Sequence, residues 1–162
     1  MTRLSKYGGA DGATLTVTLS ENIQINDRDY GGYSTFEIAN VKNVFRRIET
    51  ITTTEAEVYS SGITISGGTW VPANVKYLRF TNIDDTNHIL LTFKNAANDE
   101  FAFKLDAGRT FIFNGDNSGG LGSIFDANGG AISSLSLSNL STVTADADSG
   151  PCDLEIYIAS TG

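Results

Sequence analysis

Cysteine, histidine, methionine and tryptophan each occur once in this 162-residue chain, against seventeen glycines and two prolines. Each scarcity excludes something. The lone Cys152 excludes any disulfide within the chain, and with it the zinc sites that need two or more thiolates. Stability has to come from packing, and from assembly. The lone His88 leaves one imidazole for every acid–base role. Basic residues stop at Arg109, while Asp116, Asp126, Asp146, Asp148, Asp153 and Glu155 follow it, within an overall charge of −8. An acidic chain with an acidic last third is poorly suited to coating a phosphate backbone, so no direct nucleic-acid partner is expected. Long apolar runs are missing too. No stretch reaches the length of a membrane span, and Met1 to Gly12 holds no apolar segment of the kind a secretory signal needs. The expectation is synthesis in a cytoplasm, with no membrane partner.

What is present is the material of a folded all-β domain. Apolar residues make up 40% and charged residues 19% of the chain, within the range of globular proteins. The length suits a single domain with a substantial core. Abundant Gly, Ser, Thr and Asn suit many turns. We assign residues 1–12, which are polar and glycine-bearing, to an N-terminal arm, and 13–162 to one domain.

Val75 to Asn114 organises the rest. Leu78 and Phe80 share one strand face by period-two alternation, as do Ile89, Leu91 and Phe93, then Phe101, Phe103 and Leu105, then Phe111 and Phe113. Between them lie Asp84-Asp85-Thr86-Asn87, Asn95 to Asp99, and Asp106-Ala107-Gly108, which tolerate left-handed backbone and bond their own turns. The pattern predicts four strands in an antiparallel meander with one aromatic face.

Upstream, Ala13 to Ser20 sets Leu15, Val17 and Leu19 against Thr14, Thr16 and Thr18, a clear strand with a wet face. Ile23 and Ile25 continue it after a kink. Asn26 to Gly32 reads as a polar turn carrying Tyr30, and Tyr33 to Ile38 as a strand. Val41, Val44, Phe45 and Ile48 have helical spacing. The run of β-branched residues from Ile48 to Thr54 opposes a helix, so two strands are expected, near Val44 to Thr52 and Glu55 to Ser60. Ile63 and Ile65 alternate briefly before Gly67-Gly68. Trp70 precedes the meander. It plugs the end of a sandwich in the ordinary reading, and serves as a stacking platform for a sugar or an interface anchor in the sharper one. Downstream come a long glycine-rich loop, Gly115 to Gly130, and alternating segments from Ile132 to Leu140 and from Leu140 to Ala145. A closing strand, Asp153 to Ser160, points Leu154, Ile156 and Ile158 inward. Roughly ten short strands without a convincing long helix make an antiparallel β-sandwich or jelly-roll-like fold.

No catalytic constellation accompanies this. His88 would need Asp84 or Asp85 and one of many serines for a Ser-His-Asp arrangement, and no nucleophile-elbow spacing is present. A structural histidine beside a turn is the simpler reading. The glycine-rich loop lacks the Lys-Ser or Lys-Thr pair of a phosphate-binding loop. Carboxylates gather at Asp84-Asp85, Asp99-Glu100 and Asp146 with Asp148, without EF-hand spacing. Lys42, Arg46 and Arg47 read as a solvated strand face rather than a basic patch. Asn139-Leu140-Ser141 matches a glycosylation triplet by chance. No catalytic, cofactor or metal residues are assigned.

Two stretches carry a resemblance. Val75-Lys76-Tyr77-Leu78-Arg79-Phe80-Thr81-Asn82-Ile83-Asp84-Asp85-Thr86-Asn87, with the Lys104 to Gly108 hairpin, resembles small structural proteins of tailed bacteriophages, especially of marine and cyanobacterial hosts. Ala145 through Ser160 is similar to the ending of the same proteins. The resemblance covers rather more than a third of the chain and consists of strand and turn phrases, so it transfers no functional residues. It implies a non-enzymatic virion component, a β-sandwich serving in capsid decoration or cementing, or as a neck, tail or fibre accessory. The partners implied are a major capsid protein or neck and tail proteins, and a symmetric homo-oligomer such as a trimer. A carbohydrate- or receptor-binding module using Trp70, Tyr30 or Tyr33 is the reading from a second class.

Overall fold

The computed structural model describes residues 12–62, 69–114 and 139–162. The expected N-terminal arm, the Ile63–Ile65 alternation, the Gly115–Gly130 loop and most of the Ile132–Leu140 segment lie outside the described residues.

The described residues form thirteen strands and one 3-10 turn, joined by short turns and connections. An exposed ribbon comes first: β1 (Ala13–Glu21), β2 (Gln24–Ile25), β3 (Arg28–Asp29) and β4 (Gly32–Val41). Then follow β5 (Asn43–Ile51), β6 (Ala56–Ser61), β7 (Thr69–Trp70), the Pro72–Asn74 turn, and β8 (Val75–Asn82). The remainder is β9 (Ile89–Asn95), β10 (Glu100–Leu105), β11 (Thr110–Asn114), β12 (Leu140–Ala147) and β13 (Cys152–Ser160). The two strands expected between Val44 and Ser60 are β5 and β6, so the β-branched run outweighs the helical spacing.

Two sheets make the sandwich. One has four antiparallel strands in the order β11-β8-β13-β5; the other has five in the order β10-β9-β12-β6-β7, with β7 parallel to β6. Their inner faces close over Leu78, Phe80 and Phe113 on one side and Ile89, Leu91 and Phe93 on the other. Leu154, Ile156 and Ile158 of β13 point into the same core, as their alternation predicts. Phe93 sits at its centre, in ring contact with Phe80, Phe101, Phe111 and Phe113. Fully burying a side chain of this kind contributes about 2–3 kcal/mol, which makes this cluster the main source of cohesion.

The meander is corrected. Only Asn95 to Asp99 is a hairpin turn, joining β9 to β10. The β8 strand pairs with β11, and the connections at Asp84–Asn87 and Asp106–Gly108 each cross from one sheet to the other. The reason is burial. Four strands in one sheet would leave a continuous aromatic face needing a cover, whereas splitting them lets that face fold onto itself.

Asn82 holds both crossings. Its side chain is fully buried, and its amide donates to the carbonyls of Asn87 (2.9 Å) and Leu105 (3.1 Å) while its oxygen accepts from the Asp84 amide (3.0 Å). Its own backbone amide donates to the Arg109 carbonyl. One residue thus fixes the ends of both connections. At the second crossing Gly108 has φ +69°, a conformation that glycine adopts without a side-chain penalty.

Candidate interaction surfaces

The ribbon sits on the outer face of the four-stranded sheet. Leu15 opposes Ile38 and Val17 opposes Phe36 across it. These four pack over Tyr77, Ile112, Tyr157 and Ala159 in a second, smaller core. The same alternation continues toward the tip, where Leu19 and then Glu21 occupy the sheet-facing side. Leu19 is nevertheless 60% exposed. The ribbon therefore overhangs its seat. On its opposite side Tyr33, paired with Ser20, is 81% exposed. Ile23, Ile25 and Tyr30 are also exposed near the tip. The tip reverses at Asn26-Asp27, whose φ values of 51° and 62° match a two-residue type I′ hairpin turn between Ile25 and Arg28. That turn lies inside the polar segment expected from Asn26 to Gly32.

Beside the ribbon, the sheet's outer face carries a charged cluster. Arg46 on β5 and Arg79 on β8 flank Glu155 on β13, which lies between those strands. Arg46 donates from Nε and Nη2 to Glu155 Oε2 (2.9 and 2.5 Å), and Arg79 Nη2 donates to Oε1 (2.6 Å). Arg79 also donates to the Thr81 hydroxyl and lies over the Tyr157 ring. The Arg46 hydrogen bonds, followed by those of Arg79, hold the Glu155 carboxyl below its ordinary value, against the opposing effect of its burial. Two guanidinium groups share one carboxylate, and exposed Asp153, next on the same side of β13 and accepting from the Thr50 hydroxyl, offsets the charge they leave over. Around them Val44 and Ile48, on the same face by register with Ala159 and Glu155, are 55% and 59% exposed.

The supposed basic run does not form a patch. Arg46 points outward, while Arg47, on the opposite side of β5, donates to the Val58 carbonyl (2.9 Å) and pairs with Glu49. Strand parity separates them. The Glu155 cluster escaped sequence reasoning because its members are 76 and 109 positions apart. Only the strand order brings them together.

His88 stands beside a turn, at the start of β9, as expected, but with a different acid. Its Nδ1 lies 2.8 Å from Asp148 Oδ2, on the connection between β12 and β13. Asp84 caps its own turn instead, accepting from the amides of Thr86 (2.7 Å) and Asn87 (2.8 Å), which hold its carboxyl below the ordinary value. Asp85 accepts from the Thr86 hydroxyl. Ser149 donates to the Asn87 side chain. Among the described residues no serine hydroxyl is hydrogen-bonded to the imidazole, and no cluster of three or more metal-ligating side chains occurs. Cys152 is buried, its thiol turned toward the His88 and Gly150 carbonyls, and burial raises its pKa.

Trp70 is partly buried on β7, packed against the main core, with its ring edge-on to Phe45 at 6.1 Å. That is the plug arrangement. Tyr30 and Tyr33 belong to the ribbon, a different element. Among the described residues no helix is long and apolar enough to cross a membrane.

Fold and surfaces define an all-β sandwich with a protruding, partly apolar ribbon. No protein-family model matches the chain, and no curated protein matches it. Among solved structures, one described by the words "Bacillus endospore appendages form a novel family of disulfide-linked pili" is similar over 94% of this chain and 94% of that one, with a TM-score of 0.44 and 11% identity. A likeness of that degree assigns no role here.

Proposed function

We propose that the chain is a structural protein of a virion without catalysis of its own, a capsid decoration or cement protein that stabilises a head through protein–protein contacts. The observation that carries an assembly role is the ribbon. A solvated two-stranded arm with Leu19, Ile23, Ile25, Tyr30 and Tyr33 exposed leaves apolar surface of the kind that marks interaction sites. The phage-like phrases at Val75–Asn87 and Ala145–Ser160 supply the virion context. The partners in this reading are the major capsid protein and further copies of the chain in a symmetric oligomer.

The test is cryo-electron microscopy and protein quantification of purified particles. Hundreds of copies on the head are the expected result. A dozen or fewer copies at the portal or tail would move the protein to the neck or tail accessory role. Absence from particles would overturn the reading.

Exposed Tyr30 and Tyr33 favour one other reading, a carbohydrate- or receptor-binding module. It requires glycan binding that Tyr33→Ala abolishes.

A further inference from the structure

The ribbon is held to the sandwich by side-chain packing. Among the described residues, no hydrogen bond or ion pair joins residues 13–41 to the two main sheets. Leu15, Val17 and Ile38 instead pack over Tyr77, Tyr157 and Ala159. In the described chain a single residue, Lys42, separates β4 from β5, and its amide donates to the Ser160 carbonyl of β13. Lys42 therefore already belongs to the main sheet, and the chain folds back just before it.

The fold-back is made at Asn40. Its φ is +60°, in the left-handed region that residues other than glycine and asparagine seldom adopt. At the same point β4 is bulged: Ala39 and Asn40 together oppose Thr14, between the Ala13–Val41 and Leu15–Ile38 pairs. A bulged strand bends. Gly12 lies so close to the Asn40 backbone that a Cβ there would overlap it. The Asn40 side chain itself clamps nothing. It is exposed, makes no hydrogen bond among the described residues, and borders a cavity of about 410 Å³ with Asn74, Lys76 and Thr161. With Asn40 extended, β4 would run straight into β5. The ribbon would then leave its seat as a unit, since its strands bond only one another.

We infer that Asn40 is the hinge of an exchangeable ribbon: with Asn40 extended, the ribbon of one copy seats on Tyr77, Tyr157 and Ala159 of another. The seat is already seen to fit this occupant, because the contact between copies repeats the contact within one. Exchange needs no new surface, which makes it a low-cost route to oligomers, and short hinges favour it. The ten residues of β4 span about 33 Å when extended, enough to reach a neighbour. Within one chain, ribbon and seat meet at an effective concentration in the millimolar range. Exchange is therefore favoured where copies are crowded, a condition that rests on the assembly reading above.

Refolding the full chain from urea at roughly 1 mM, comparable with the intramolecular concentration, tests this by size-exclusion chromatography with light scattering. Wild type is expected as a closed monomer with a minor dimer. Asn40→Val places a branched side chain where left-handed backbone is disfavoured. It should favour exchange about tenfold per hinge, hence about a hundredfold in the dimerisation constant, because two hinges open. Asn40→Gly accepts the bend freely and should form less dimer than wild type. Adding Val17→Asp to Asn40→Val spoils the seated face of the ribbon and should restore the monomer, with the sandwich's urea transition retained. Adding Leu19→Glu at the overhang instead should leave the dimer intact.

The inference is overturned if Asn40→Val forms no more dimer than wild type, or if Asn40→Gly forms more. An Asn40→Val dimer that survives Val17→Asp, or is lost with Leu19→Glu, would overturn it too. Any of these results would leave the virion reading standing. Absence of the chain from purified particles would overturn that reading while exchange stays measurable in solution.

Discussion

Asn82 donates its side-chain amide to the carbonyl of Leu105 across 3.1 Å, tying the end of β8 to the end of β10 in the facing sheet. With its second bond to the Asn87 carbonyl, it anchors both crossings that fold the aromatic strands onto themselves. A buried asparagine with its donors and acceptor satisfied stabilises one arrangement, because every alternative leaves a polar group unpaired.

Asn82→Ala strands the carbonyls of Leu105 and Asn87 and the amide of Asp84. With each lost bond worth about 1 kcal/mol, and more where its partner stays buried, the expected loss is about 2–4 kcal/mol. Urea denaturation checks it: the midpoint should fall with the slope unchanged, as befits an intact fold of lower stability.

Glu155 makes stability depend on pH with a definite sign. Its folded pKa is depressed by the Arg46 and Arg79 hydrogen bonds. The stabilisation is therefore fully present above the ordinary glutamate value of 4.5 and is lost as pH falls through the lower folded value. Glu155→Gln should lower Tm at pH 7 by roughly 3–6 °C, since it removes a charge-assisted pair. The same variant should lose less stability than wild type between pH 5 and pH 3. Thermal melts across that range check both. Asp84, capped by the Thr86 and Asn87 amides, and Asp106, paired with Lys104, are depressed as well. Some acid sensitivity therefore remains in the variant.

The difference between Asn82 and Phe80 shows how much was legible in the chain. Phe80, with Leu78, alternates against Arg79 and Thr81, and period two alone says that it faces a core. The same rule placed Ile89, Leu91 and Phe93, and Leu154 through Ile158. It specifies which side of a strand is apolar and says nothing about which sheet holds the strand. That is why a meander was expected where two crossings occur. Asn82, Glu155 with its arginines, and His88 with Asp148 all depend on pairing between distant strands, which no local pattern carries. The overhang of the ribbon was hidden for a related reason. Leu19 continues the alternation of Leu15 and Val17 without interruption, and only the extent of the sheet beneath decides that it is exposed.

Phe93 and Phe103 test the architecture of the core, because an aromatic pattern puts them on equal terms and the structure does not. They lie on paired strands, β9 and β10, but not opposite each other: Phe93 pairs with Phe101, and Phe103 with Leu91. Phe93 is fully buried and stacks on Phe101 with ring centroids 4.7 Å apart. Phe103 is 39% exposed on β10, the edge strand, and touches Phe111. Phe93→Ala removes a ring that four others contact, so the expected loss is about 3–5 kcal/mol. Phe103→Ala removes a ring still partly in water, and about 1 kcal/mol is expected. Paired denaturation curves measure both. Equal losses would mean that the two sheets do not meet where Phe93 places them. A loss at Phe103 several times smaller is the signature of an aromatic strip folded over on itself, with Phe93 at the fold's centre and Phe103 at its rim.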